Sequence, residues 1–175
     1  MPFCLRDRDI SSDIAAVQSA LIIPCRFCPA ASLAVREGKP YIELFRRFLR
    51  TPPYESYIQA LKSRLQSGGI RTAVFDSKLP HQFVVCMWTA ARRRELARQA
   101  AGYDAVIVLG CDGAVAAVRS SLPDDCQVIA GMEAEGLMDV IPTVHFPFNI
   151  SLKVGNVTQV LQPRAGPSQA EVPGK

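Results

Sequence analysis

The sequence predicts an α/β fold: a single domain whose mostly parallel sheet carries helices on both faces, in a Rossmann-like or flavodoxin-like three-layer arrangement. Aliphatic runs of strand length alternate with segments of helical periodicity along most of the chain. Those runs are continuous rather than alternating apolar and polar, as strands buried on both faces require. Glycine, proline and small polar residues mark most of the boundaries between them.

Ser11 or Ser12 can cap a short helix to about Ser19, so residues 1–19 read as an N-terminal arm and short helix ahead of an α/β domain over 20–162. The first strand is 20–23. The chain then runs through Pro24-Cys25-Arg26-Phe27-Cys28 into Pro29 and small residues that open a helix. This helix is broken near Gly38-Lys39-Pro40 and resumes over 41–49. Thr51 caps the next helix with Pro52 in its first position, and Tyr54, Tyr57, Ile58, Leu61 and Leu65 keep helical spacing until Gly68-Gly69. Residues 70–75 form a second strand.

The stretch 80–101 reads either as a strand at 83–88 closed by Thr89 or as one long helix. Phe83, Val84, Met87, Trp88 and Ala91 share a helical face and favour the helix. Ala105-Val106-Ile107-Val108-Leu109 is the clearest strand, closed by Gly110-Cys111-Asp112-Gly113. A short helix over 114–121 and a fourth strand at 127–130 follow. Pro142 and Pro147 within the apolar stretch 141–148 suggest an edge strand. Residues 163–175, rich in proline and glycine, read as a disordered tail.

Composition narrows the function. Hydrophobic residues make up 49% and charged residues 21% of 175 residues, an ordinary globular balance. No apolar run approaches the ~20 residues of a membrane span, so no membrane insertion is expected. The N-terminus lacks an apolar secretory core, which makes the cytoplasm the expected location. A net charge of +4 is too slight, and the aromatics too sparse among the basic residues, to point to nucleic acid. Arg46, Arg47 and Arg50, and then Arg92, Arg93, Arg94 and Arg98, fall on predicted helices. They are either solvated faces or a docking patch for an acidic partner protein or a phosphate.

The chemistry lies in the cysteines, of which there are six. In open parallel sheets ligands bind beyond the carboxyl ends of the strands, where the strand order switches. Cys25 and Cys28 follow the first strand in a C-x-x-C, and Cys111 follows the strongest strand directly. These three can meet at one edge, with Cys86 the best fourth ligand and His81, Asp76 and Asp112 weaker ones. Thiolates suit an iron–sulfur cluster, with zinc as the alternative. Cys86 among Val84, Val85 and Met87 reads equally as a packing thiol. Cys4, in the arm, and Cys126, at the start of its strand, read as bystanders. Gly110, Asp112 and Gly113 offer a backbone cradle for an anion, although neither nucleotide-binding glycine pattern is present. Glu133 and Glu135 lie after a strand end, on a solvated loop or facing the cleft. Two histidines, His81 and His145, and no G-x-S-x-G give a hydrolase triad little support.

The segments Ile22-Ile23-Pro24-Cys25-Arg26-Phe27-Cys28, Cys86, and Val106-Ile107-Val108-Leu109-Gly110-Cys111 resemble the iron–sulfur delta subunit of methyl-viologen-reducing hydrogenases. The resemblance covers about residues 20–120 and implies a [2Fe–2S] cluster passing electrons between larger subunits. A second resemblance, to thioredoxin-like proteins, rests on the C-x-x-C between strand and helix and on Val140-Ile141-Pro142-Thr143-Val144. It implies a dithiol–disulfide oxidoreductase in which Cys25 attacks, Cys28 resolves and Pro142 contacts the substrate strand. A third reading is a non-catalytic α/β module docking through its arginines.

Overall fold

The computed structural model describes residues 1–43, 50–76, 82–146 and 149–159. Four strands form the parallel sheet: β2 (Ser19–Pro24), β4 (Arg71–Val74), β5 (Ala105–Leu109) and β6 (Gln127–Ala130), in the order β4-β2-β5-β6. All six residues of β2 and all five of β5 are buried, which is why they read as unbroken aliphatic runs. The fold is thus mixed α/β, as expected. A second sheet, which the sequence reading lacks, is antiparallel with the order β1-β7-β8-β3. Its strands are β1 (Phe3–Asp7), β3 (Ile42–Glu43), β7 (Met132–His145) and β8 (Asn149–Thr158). The expected parallel sheet is thus one of two, with four strands in each among the described residues.

The N-terminal arm is therefore a strand, paired with β7 from Phe3↔Leu137 to Asp7↔Met132. Residues 11–16 form turns rather than the expected helix. The C-x-x-C helix is α1 (Cys28–Glu37), which ends at Gly38 with φ 61°, a left-handed position suited to glycine. The expected resumption over 41–49 is not helical at its start: Ile42 and Glu43 pair with β8, and 44–49 lie outside the described residues. α2 (Pro52–Ser67) keeps its predicted cap position at Thr51, but the Thr51 hydroxyl donates to the Tyr41 carbonyl (2.6 Å) instead of capping.

The long helix expected over 80–101 is corrected. A 3₁₀ turn, Val85–Met87, precedes α3 (Ala90–Ala100), and the Thr89 hydroxyl caps α3 by accepting from the Arg92 amide. α4 (Asp112–Arg119) starts directly after Cys111. The apolar stretch at 141–148 belongs to β7 as far as His145; β7 and β8 form a hairpin ladder from Leu137↔Thr158 to His145↔Asn149. The tail 163–175 lies outside the described residues.

The two ends of β2 are fixed differently. At its start, one Asp104 carboxylate oxygen accepts from the Gln18 and Ser19 amides and from the Ser19 hydroxyl. The Ser19 side-chain and backbone bonds hold the Asp104 carboxyl below its ordinary value of 3.8. A depressed carboxylate contributes stability above the unfolded pKa and loses it as pH falls through the folded one. Asp104→Asn is therefore expected to melt lower at neutral pH and to converge with the wild type in acid, once the carboxyl is protonated in both the folded and unfolded chain. Thermal unfolding across pH checks this, and a gap that persists in acid contradicts it.

Candidate cysteine centre

Chain order and sheet order diverge between β2 and β5: from β2 the chain crosses to β4 on one side, and from β5 to β6 on the other. The crevice beyond their carboxyl ends is the switch point. Both carry cysteines there. The Cys25 amide donates to the Leu109 carbonyl (2.9 Å), tying the residue after β2 to the last residue of β5. Gly110 allows this approach: a Cβ at that position would lie 2.7 Å from Ala114 Cβ and 3.2 Å from Cys25 Cβ. At this position glycine serves close packing.

The loop 82–88 closes over the crevice. The Arg26 amide donates to the Phe83 carbonyl (2.7 Å), and the Val85 and Phe27 amides bond the Cys25 sulfur. A Cβ at Gly113 would lie 3.8 Å from Cys111 Sγ and 4.0 Å from Cys86 Cβ, so both cysteines border one small residue. Cys25, Cys28 and Cys111 are buried, while Cys86 is exposed. The four expected cysteines therefore share one edge of the sheet, brought there by three separate connections.

Their environments differ. Burial pushes the Cys25 thiol up to about 11, against the pull of the Val85 and Phe27 amides. Cys28 and Cys111 bond each other through their sulfurs, and that bond raises Cys28 and lowers Cys111. Cys111 falls to about 6 in spite of burial, because the Ala114 and Gly113 amides at the start of α4 also point to its sulfur. Burial also raises Tyr41 to about 12 and Tyr54 well above its ordinary value; the nearby cysteines add to this, Cys28 and Cys25 for Tyr41 and Cys25 for Tyr54.

Sequence reasoning missed several contributors. The Phe3 amide of β1 bonds the Cys28 sulfur. Ser32 clamps β1 to α1, accepting from the Leu5 amide (2.9 Å) and bonding the Phe3 and Cys28 carbonyls. The Tyr54 hydroxyl donates to the Leu109 carbonyl (3.2 Å). None of these residues carries a motif, so only the tertiary fold shows them.

Arg26, inside the C-x-x-C, has a side chain only 5% exposed, 3.1 Å from the Glu55 carboxylate of α2. Asp76, expected as a weak ligand, instead pairs with Arg50 at 3.1 Å and Arg26 at 3.8 Å. Asp112 is exposed at the start of α4. Pro142 is exposed on β7, opposite Leu152 in the antiparallel sheet, and not in the sheet that carries the C-x-x-C. Glu133 and Glu135 lie on β7 rather than a loop, Glu133 against Arg6 and Glu135 against Cys4. Cys126 is half-buried ahead of β6. His81, Arg46 and Arg47 lie outside the described residues.

Arg92 is buried, with its guanidinium 4.0 Å from the Phe75 ring centroid, bonded to Glu95 and the Asp76 carbonyl. It is a packing residue, not a docking one. Arg93 bonds the Trp88 carbonyl and the Ser120 hydroxyl, while Arg94 and Arg98 are exposed.

Among the described residues, no group of three or more histidine, cysteine, aspartate or glutamate side chains is arranged to hold a metal ion, and no helix is long and apolar enough to cross a membrane. No protein family, curated protein or solved structure matches this chain.

Proposed function

We propose that this chain carries electrons through an iron–sulfur cluster held by Cys25, Cys28, Cys86 and Cys111, as a component of a redox complex. One observation supports the reading above the others: three separate connections deliver four thiols to the crevice of the switch point. A cluster shares its cysteines among several irons, so the sulfurs surround a core instead of meeting. Thiolates suit either group, and four thiols spread over three connections are the ground on which the cluster is preferred.

When bound, such a cluster supplies one-electron transfer. The chain's own residues set its surroundings. Amides of Phe3, Phe27, Val85, Gly113 and Ala114 bond the sulfurs, and sulfur hydrogen bonds tune the potential of such a centre. Buried Tyr54 and half-buried Tyr41 limit the water around Cys25 and Cys28. Cys86, exposed beside the exposed Met87, gives the centre its most accessible side. Arg94, with Arg93, provides a basic face on α3 for an acidic partner, and a cytoplasmic setting keeps the thiols reduced. The finer three-layer, Rossmann-like description of the parallel sheet belongs to this same reading.

Anaerobic reconstitution with ferrous iron and sulfide tests it. The visible absorption of the product is expected to bleach with dithionite and return on reoxidation. A colourless product, or colour that does not respond to dithionite, contradicts the proposal.

A further inference from the structure

We infer that the chain carries a second binding site, at the amino edge of the parallel sheet, and that it takes a free α-amino acid with an apolar side chain. The site lies apart from the cysteines. Ile70 lines it and directly precedes β4, which starts beside β2 with the pair Ser19↔Arg71. Cys25 and Cys111 follow the carboxyl ends of β2 and β5, at the other edge. Between the segment that follows β1 and the last turn of α2 there is a cavity of about 430 Å³. That volume falls within the range of small-molecule pockets.

The cavity joins an apolar floor to a charged mouth. Ile10, Leu65 and Ile70 are core side chains that border it, and half-buried Ile14 extends the same surface. Such a floor gains by covering a branched aliphatic or aromatic group. Asp7, Asp9 and Arg64, all exposed, form the mouth. None of the three has an ion-pair partner among the described residues. Arg8, the remaining charge on the cavity, is already taken up by Asp13 (3.0 Å) and the Ala130 carbonyl (3.1 Å). The Ser11 amide holds one Asp9 carboxylate oxygen at 2.9 Å, which orients that group. Two carboxylates and one guanidinium therefore border one space without pairing. A simple carboxylate would match Arg64 and be repelled by the aspartates; a simple amine would do the reverse. An α-amino acid satisfies both signs, with its ammonium at Asp7 and Asp9, its carboxylate on the Arg64 fork and its side chain on the floor.

Isothermal titration of the full chain with L-leucine tests this, with isoamylamine, isocaproate and glycine titrated in parallel. Those three lack, in turn, leucine's carboxylate, its ammonium and its side chain. Leucine is expected to bind with a Kd below about 1 mM. Each of the other three is expected to bind at least about tenfold more weakly. Arg64→Gln and Asp9→Asn should each weaken leucine by a similar factor. Both positions are exposed, so these variants are expected to fold, and the wild-type series stands even if one does not. No binding of leucine at about 10 mM overturns the inference. So does an amine or a carboxylate that binds as tightly as leucine, or a folded variant that keeps the wild-type affinity.

Discussion

Serine at position 111 is expected to abolish most iron incorporation, and serine at 25 or 28 to do the same. Each of these sulfurs is buried and bonded by amides or by another sulfur, so no neighbouring cysteine can replace it without moving a strand end. A serine hydroxyl is a poor ligand for iron that thiolates suit. Cys86→Ser is expected to fall short of full loss, because the exposed 3₁₀ turn leaves that position open to water as a substitute ligand. Cys4→Ser and Cys126→Ser serve as controls. Cys4 bonds Glu135 on the antiparallel sheet, and Cys126 precedes β6 at the opposite edge, so neither change should alter iron content. The measurement is iron per chain after anaerobic reconstitution. Equal iron in Cys111→Ser and wild type would remove Cys111 from the centre.

Arg26→Ala is expected to cost about 3 kcal/mol of stability, because it leaves the Glu55 carboxylate buried without its nearest guanidinium. The Glu55 side chain is 12% exposed, and its remaining partner, Arg50, lies 3.5 Å away on the surface side. For a domain of this size that loss corresponds to a fall in Tm of roughly 6–12 °C. Arg26→Met combined with Glu55→Met should recover much of it, since two apolar side chains of similar volume remove both charges together. A fall of less than about 1 kcal/mol in the single variant would show that water reaches Glu55 and the pair behaves as a surface one. Because Arg26 sits between the two cysteines, the same variant also asks whether loop anchoring matters for iron binding.

What was legible in the sequence follows from burial. β2 and β5 are enclosed on both faces, so their composition is nearly sufficient to place them, and the cysteines at their carboxyl ends inherit that certainty. The antiparallel sheet was not legible, because β1 and β3 depend on distant partners and the β7–β8 hairpin carries loop-like residues. β1 reads Phe-Cys-Leu-Arg-Asp with only Leu5 fully enclosed, and its pairing lies more than a hundred residues away in β7. β7 carries Glu133, Glu135, Gly136 and Pro142, residues that look like a loop. Pro142 is tolerated because β1 pairs with β7 only as far as Leu137.

The 82–89 stretch failed for another reason. Its apolar spacing suits a helix, but Trp88 donates its indole N–H to the Gln82 carbonyl, and the Val85 amide turns to Cys25. Tertiary partners for the backbone outcompeted the local helix there, at the place where the chain approaches the cysteines. The arginine pattern misled similarly. Arg92 shares its run with Arg93 and Arg94, yet only the fold shows it lying against the Phe75 and Trp88 rings.

Iron and acid-labile sulfide per chain, measured on the full-length protein purified without oxygen, bear most directly on the central claim. A cluster held by Cys25, Cys28, Cys86 and Cys111 predicts iron and sulfide in equal amounts, with both lost together in Cys111→Ser. Protein that takes up neither, after reduction and anaerobic reconstitution, would contradict the account.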